Sequence, residues 1–335
     1  MRTLVKLFAA LLLLVLAAAG AALWWVDHPL DLRQPVVEVS IEPGTASREI
    51  ARQWTEAGLD APPELLYQWF RWSGQARRIR AGSYALEEAT SPRALLDKMV
   101  RGDETLETLR LIEGWNWRQV REALLKAPHL RHPGLDMSPA QLAAELGLPG
   151  DTPEALEGQF FPDTYAYSRH VSDVTVLRRA RQAMQQRLAT AWSERDPSLP
   201  LKSPAEMLAL ASVVEKETGR PQDRGQVAAV FVNRLRIGMP LQSDPTVIYG
   251  LGEAFDGNLR KADLQADTPY NSYTRRGLPP TPIAMPGMAS LRAVARPAAS
   301  KALYFVARGD GSSVFSDTLT DHNRAVNQYQ RGRNP

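Results

Sequence analysis

Cysteine is absent from all 335 residues, which excludes disulfides, thiolate metal sites and a cysteine nucleophile. Histidine is scarce, with five in the chain, and scattered. His129 and His132 stand three apart as ligands on one helical turn would, but Pro128 and Pro133 break any helix around them. His28, His170 and His322 lie far off in sequence, so no metal site is expected. A strong charge of one sign is missing too: 40 Lys and Arg face 37 Asp and Glu, a formal net charge of +3. That balance argues against the concentrated basic face of a nucleic-acid-binding protein. The tightest basic cluster, Arg71, Arg77, Arg78 and Arg80, reads as solvated surface. With 44% hydrophobic and 23% charged residues, neither a disordered chain nor a fibrous repeat is indicated.

One long apolar run is present. Leu7 to Val26 (LFAALLLLVLAAAGAALWWV) carries no charge and has the length of a helix that spans a bilayer. Arg2 and Lys6 precede it and Trp24 and Trp25 close it, an asymmetry that keeps the positive end in the cytoplasm. The expectation is therefore a cytoplasmic stub at 1–6, a transmembrane helix at 7–26, and a single-pass protein of the inner (cytoplasmic) membrane whose remaining chain faces the periplasmic side. The rival is a cleaved signal peptide with its small-residue site at Ala17 to Ala19. Retention is favoured because the apolar run continues through both tryptophans.

Asp27 to Pro35, charged and with two prolines, reads as a tether. Val36 to Ile41 alternates as a strand; Pro43-Gly44 turns the chain and Thr45 can cap a helix carrying Ile50, Ala51, Trp54 and Ala57 that Gly58 ends. A second helix over Pro63 to Trp72 and a strand over Gly82 to Leu86 complete a strand-helix-helix-strand order. A helix opened by Ser91-Pro92 and a strand within Thr105 to Ile112 follow. Trp54, Trp69 and Trp72 read as core. Glu113 to Trp117 opens a helical section through Leu125, and another helix runs from Pro139 to Leu146 behind a Ser138 cap; no catalytic motif is evident there.

The chemistry concentrates further on. Ser203-Pro204-Ala205-Glu206 has the form of a capping box and Gly219 that of a helix stop. Between them MLALASVVEKET places apolar residues around well over half of a helical wheel, with Glu215 between Leu208 and Ala211 and Glu217 between Leu210 and Val213. A carboxyl against an apolar wall holds its proton to higher pH and can serve as a general acid. The alternative is that the two glutamates reach solvent or pair with Lys216, Arg220 or Arg224, and the wheel does not choose between them. A further helix from Val227 to Leu235 includes Asn233 and stops at Gly238. In LQSDPTVIYG, Asp244-Pro245-Thr246 reads as a turn, from which Gln242, Asp244 and Thr246 can line a groove for sugar hydroxyls together with Tyr249. Tyr270-Asn271-Ser272-Tyr273 adds aromatic and amide groups, Asn271 and Tyr273 among them, and Gly277 to Gly287 is a rigid irregular loop. Leu303 to Ala307 and Val314 to Ser316 form a hairpin, and a helix from Thr320 to Gln330 ends the chain.

The strings ASVVEKETG, VAAVFVNRLRIGMPLQSDPTVIYGLG, TPYNSYTRRGLPPTPIAMPG and ALYFVARGDGSSVFS, in that order, resemble the MltG (YceG-like) endolytic murein transglycosylases, and LEGQFFPDTYAY at Leu156 to Tyr167 also resembles a motif of that family. The resemblance implies an α+β chain with an N-terminal transmembrane helix, a small LysM-like domain at 36–112 and a YceG-like catalytic domain at 113–335. It implies Glu215 as the catalytic acid and peptidoglycan glycan strands as substrate; no cofactor is expected, and Glu217 and the groove residues are the candidates for contact with substrate. Peptidoglycan synthases are implied partners. Such an enzyme cuts the MurNAc-GlcNAc β-1,4 bond without water. One carboxyl protonates the leaving oxygen and then takes the proton of the MurNAc C6 hydroxyl, which closes a 1,6-anhydro ring. Hydrolysis needs two carboxylates. The rival enzyme is a muramidase that recruits Glu217, Asp223 or Asp244, and a non-catalytic membrane-anchored glycan-binding adaptor is the other class. A pyridoxal-phosphate lyase is disfavoured by the anchor and by the few lysines of the catalytic section.

Overall fold

The computed structural model describes residues 2–218 and 220–331. Helix α1, Arg2–Asp27, includes the 22-residue span Lys6–Asp27, whose most apolar 18-residue window has a mean hydropathy of 2.5 and no buried residue, long and apolar enough to cross a membrane. The segment after it is not the free tether that its prolines suggest. Asp27 forms an ion pair with Arg93. Leu30 and Thr90 exchange backbone hydrogen bonds, and Arg33 N–H donates to Gly58 O at 2.8 Å. Prolines remove donors only at their own positions; the remaining N–H groups find carbonyls at the end of one helix and the start of another.

The chain divides into two units. The first comprises 1–108 with 128–130 and 166–171. It contains β1 (Val37–Ile41), α2 (Ser47–Ala57), α3 (Pro63–Trp72), β2 (Gly82–Leu86) and α4 (Pro92–Arg101), and β3 (Leu106–Arg110) begins in it. β1 and β2 pair antiparallel from Val37 opposite Leu86 to Ile41 opposite Gly82. Period-two alternation turns Val37, Val39 and Ile41 onto Ile50, Trp54, Leu66, Phe70 and Leu96, all buried. Gly58 ends α2 at φ +121, a conformation open to glycine alone at little cost. Two expectations fail here. Thr45 does not cap α2, because Ala46 is the cap residue and the Thr45 hydroxyl turns back to Glu42 O. Trp72 is 74% exposed at the last turn of α3, where the buried stripe has already ended with Phe70, while Trp54 is buried and Trp69 half-buried.

The second unit carries α5 (Trp117–Lys126), α6 (Pro139–Glu145), the start of β4 (Thr164–Ser168), α7 (Asp173–Ser193), α8 (Pro204–Glu217), α9 (Arg224–Arg236), α10 (Asp244–Leu251), α11 (Lys261–Gln265), α12 (Met288–Ala295), β5 (Tyr304–Ala307), β6 (Ser313–Ser316) and α13 (Leu319–Val326). β3 pairs with β4, and β5 pairs antiparallel with β6, so the described chain is α+β with helices predominating.

Helix α8 is the axis of this unit. Met207 through Val214 are all buried, enclosed by α7, α9 and α12. Ala209, Ala211 and Ser212 leave room for close approach, and the Ser212 hydroxyl satisfies itself by donating to Ala209 O and accepting from Ile283 N–H. Ser203 caps the helix as expected, but the Glu206 carboxylate accepts from Lys202 N–H at 2.6 Å instead of closing the box on Ser203. Gly219, the expected stop, lies outside the described residues. What ends the helix at its last described turn is Thr218, extended, with its hydroxyl donating to Val214 O at 2.7 Å. Asp244-Pro245 opens α10 instead of a turn: proline in a first helical turn loses no needed donor.

Candidate active site

Glu215 lies in the last turn of α8, one turn beyond Ala211, so its side chain leaves the buried face where the helix emerges from the core. Its Oε2 accepts from Gly287 N–H at 2.9 Å, and its Oε1 faces an Arg224 Nη at 3.5 Å. Both side chains are shielded, 7% and 14% exposed. Of the pairings weighed against catalysis, the one with Arg224 is thus present, as one of two contacts that hold the carboxylate in place. Glu217 points elsewhere: its Oε1 accepts from the Ser243 hydroxyl at 2.6 Å. Burial pushes its pKa up to about 7 against that hydrogen bond.

A second carboxylate comes from a segment in which the sequence showed no chemistry. Residues 113–116 are not helical; α5 starts only at Trp117, with Asn116 and Gln119 forming a reciprocal capping box. The preceding strip runs beside the irregular loop, Gly114 N–H donating to Met285 O at 2.9 Å and Met285 N–H to Trp115 O at 2.6 Å. Lys216 Nζ donates to Gly114 O at 3.3 Å. This lays the exposed Glu113 side chain across Gly287, where an added Cβ would fall 1.7 Å from its Oε1. Two carboxylates therefore converge on Gly287, one on its amide and one on its bare Cα. Partial burial and then the charge of Glu215 raise the pKa of Glu113, and Arg224 opposes the rise. The available signal was the glycine after Glu113, in a strip that starts with an acid and ends in a cap.

An open cleft of about 660 Å³ is walled by Gly114, Trp117, Glu157, Lys216, Tyr249 and Tyr270, so it reaches the residue that follows Glu215 on α8. Glu157 is the buried acid of its floor. Both of its oxygens face Trp117 N–H, at 3.1 and 3.0 Å, and the Tyr249 hydroxyl bonds to it. Burial pushes its pKa up to about 7 against those bonds. Gly158 next to it has φ +75, and a Cβ there would meet Pro282 Cβ at 2.4 Å. Glycine alone lets the two segments touch. Tyr249 and Tyr270 meet edge to face at 4.8 Å between ring centres.

Of the expected groove residues, Tyr249 lines this cleft. Thr246 is fully buried and bonded to Ser243 O and the Ser272 hydroxyl. Asn271 is fully buried as well, its amide donating to the carbonyls of Asp263, Leu264 and Ala266. Asn233 gives its amide to Ser300 O and Ala302 O. These three are satisfied within the protein and hold loops in position, a correction to their reading as sugar ligands. Gln242, in the left-handed region at φ +50, and Asp244 are exposed, and Tyr273 O–H donates to Asp244 at 2.5 Å. Asp223 is turned to the hairpin, accepting from Ser313 N–H at 2.8 Å. Among the described residues no three His, Asp or Glu side chains gather as a metal site would require.

Among solved structures, a yceG-like protein from Listeria monocytogenes is similar with a TM-score of 0.54 and 27% identity, over 86% of this chain and 98% of that one. Two similar proteins carry the name endolytic murein transglycosylase. The one from Bacillus subtilis (strain 168) is 38% identical over 180 residues, 53% of this chain and 49% of its own length. The one from Streptococcus pneumoniae serotype 2 is 28% identical over 334 residues, 90% of this chain and 60% of its own. The chain spans about half to three fifths of the length of these relatives. The YceG-like family model matches residues 39–328. With that match over most of its length, the chain belongs to the YceG-like family.

Proposed function

We propose that this chain is an endolytic murein transglycosylase that cuts the MurNAc-GlcNAc β-1,4 bond within peptidoglycan strands and leaves 1,6-anhydroMurNAc ends. The observation that carries the reading is the placement of Glu215. It is a shielded carboxyl held by a backbone N–H and an arginine, next in sequence to the Lys216 that lines an open cleft, with the names of its relatives pointing to the same reaction. Glu215 gives its proton to the leaving oxygen, and Gly287 N–H and Arg224 stabilise the anion that remains. That anion then removes the C6 hydroxyl proton as the ring closes. An open cleft, walled by Trp117, Tyr249 and Tyr270, suits a strand that enters from either side, as a cut inside a polymer requires. Gln242, Asp244 and Tyr273 extend the surface offered to sugar, and Glu217 acts through Ser243 on the loop that carries them.

A second reading has its own observation. Glu113 reaches Gly287 beside Glu215, so a two-carboxylate muramidase is chemically equipped, with Glu113 in the place that Glu217, Asp223 and Asp244 do not fill. The mass of new ends released from purified sacculi separates the readings. Ends lighter by one water are expected; reducing ends that incorporate solvent oxygen label would transfer the assignment to hydrolysis, and glycan bound without new ends would leave an adaptor.

The first unit we read as a LysM-like module, on its paired strands and two intervening helices. Helix α1, on its length and apolar run, we read as a retained inner-membrane anchor with the rest of the chain outside, and peptidoglycan synthases are the partners this reading proposes. The full chain is expected in the membrane fraction, its folded part cut by added protease only after the outer compartment is opened. A soluble form starting near residue 20 would show cleavage of a signal instead.

A further inference from the structure

We propose that helix α3 is a second membrane contact: its row Leu65, Trp69 and Trp72 lies among the lipid headgroups of the bilayer that α1 spans, so that the first unit rests on the lipid surface. The inference rests on the reading of α1 as a retained anchor and is independent of the chemistry at Glu215. A helix of a soluble domain buries one apolar stripe and turns polar residues outward. Helix α3 has two apolar rows. Leu66 and Phe70 face the core and are fully buried. Leu65, Trp69 and Trp72, four and three residues apart, make a separate row roughly a third of a turn round the helix. Its ends, Leu65 and Trp72, are 51% and 74% exposed. Trp69 between them is half-buried and gives its indole N–H to Pro92 O at 3.1 Å. An exposed row of this kind marks a surface made to meet something less polar than water. Tryptophan in particular collects where a bilayer meets water, because its ring is apolar and its N–H can stay hydrated.

What covers the row follows from where the anchor enters the fold. Helix α1 does not end in a free linker: Val26 is buried, and Trp25 packs against the core of the first unit. Trp24 stays exposed and sets the level of the interface. Asp27 stands three residues beyond it, about 4.5 Å of helical rise, inside a headgroup layer of roughly 5–7 Å. Asp27 forms the ion pair with Arg93, and the Arg93 guanidinium lies over the Trp69 ring with its Cζ 5.2 Å from the ring centre. One side chain thus joins the last residue of the span to the middle of the row. The lipid surface that α1 enters is the apolar phase nearest to Leu65 and Trp72. A unit hung from one helix end would pivot; a second contact beside the first removes that freedom.

The absence of cysteine makes the test direct, because one introduced thiol carries a spin label at one known place. Leu65→Cys and Trp72→Cys are made in the full-length protein, with Leu16→Cys in α1 as the lipid reference and Glu122→Cys on α5 as the water reference. Each is inserted into vesicles of phosphatidylethanolamine and phosphatidylglycerol. Collisions of the label with oxygen, which concentrates in the bilayer, are compared with those of a water-soluble nickel chelate. At 65 and 72 the oxygen-to-chelate ratio is expected to lie between the two references and several-fold above that at 122. A ratio equal to that at 122 overturns the proposal and leaves the row facing water, open to sugar. Shielding from both reagents overturns it as well and places a second copy of the chain on the row. Both side chains are exposed, so neither thiol opens the core; if one variant melts below the wild type, the other decides. Flotation of the vesicles after an alkaline carbonate wash checks insertion. A chain that is left behind overturns the anchor reading and the proposal with it, whereas an inserted chain with water-exposed labels overturns the proposal alone.

Discussion

Replacing Glu215 by glutamine is expected to lower cleavage by about 10²–10⁴-fold, the range for loss of a general acid, with folding and glycan affinity kept. The amide has the size of the acid and cannot transfer the proton. Its oxygen can still accept from Gly287 N–H, the 2.9 Å contact, and its NH₂ would then face Arg224 across the looser 3.5 Å contact. That substitution costs on the order of 1 kcal/mol, one hydrogen bond's worth, against a core in which α8 is buried from Met207 to Val214. Melting and sacculus pull-down with the variant check the two retained properties, and turnover near the wild-type rate would remove Glu215 from the mechanism. Glu217→Gln should keep most of the activity. Its carboxyl is enclosed with Ser243, so an amide there disturbs a loop contact and no proton transfer.

The contrast between these two glutamates shows where sequence reasoning stops. Helical periodicity fixes the angle of each carboxyl on α8, and both angles border apolar residues. What distinguishes them comes from distant chain: Gly287 and Arg224 for one, Ser243 for the other. Local patterns did reveal the elements that depend on local chemistry. The alternation of Val37, Val39 and Ile41, the Ser91-Pro92 and Ser138 caps and the hairpin around Gly309 and Gly311 all fold as the spacing predicts. Helix α7 was passed over although Val176, Leu177, Ala180, Met184 and Ala191 lie along one buried face, because the charged residues between them mask the period. Helix α12 was passed over because its eight residues follow a proline-rich loop and have little periodicity to show. The groove residues failed for another reason. Asn271 and Thr246 are the polar side chains that a sugar site needs, and they are also the ones that satisfy buried carbonyls and hydroxyls; composition does not tell the two uses apart. Glu113 is not legible in the sequence because the approach of its carboxyl depends on a bare Cα more than 170 residues away.

The melting temperature of the protein is expected to fall by roughly 10–20 °C between pH 5 and pH 8, through two acids that the fold encloses beside its working parts. Glu157 and Glu217 each rise from an ordinary 4.5 to about 7, in both cases chiefly through burial. Such a group keeps its proton in the folded state over a range where the unfolded chain has released it. The stabilisation is complete below about 4.5 and is lost as pH rises to about 7, then stays level. A shift of that size corresponds to roughly 3 kcal/mol for each group, and a domain of this size changes its melting temperature by about 2–4 °C per kcal/mol. The exposed aspartates with lowered values, among them Asp196, Asp256 and Asp267, titrate below this window; Glu113, raised by partial burial and Glu215, adds to the slope, and His322, lowered by burial, opposes it. Glu157→Gln should remove about half of the slope and raise the melting temperature at pH 8, because the amide oxygen still accepts from Trp117 N–H and its NH₂ can donate to the Tyr249 hydroxyl. Thermal scans of the full-length protein in detergent from pH 5 to pH 8 measure both quantities. A melting temperature that holds level or climbs over this range, or a slope that persists when both acids are replaced by glutamine, would show that the two carboxyls are ionised in the folded protein and that solvent reaches the floor of the cleft.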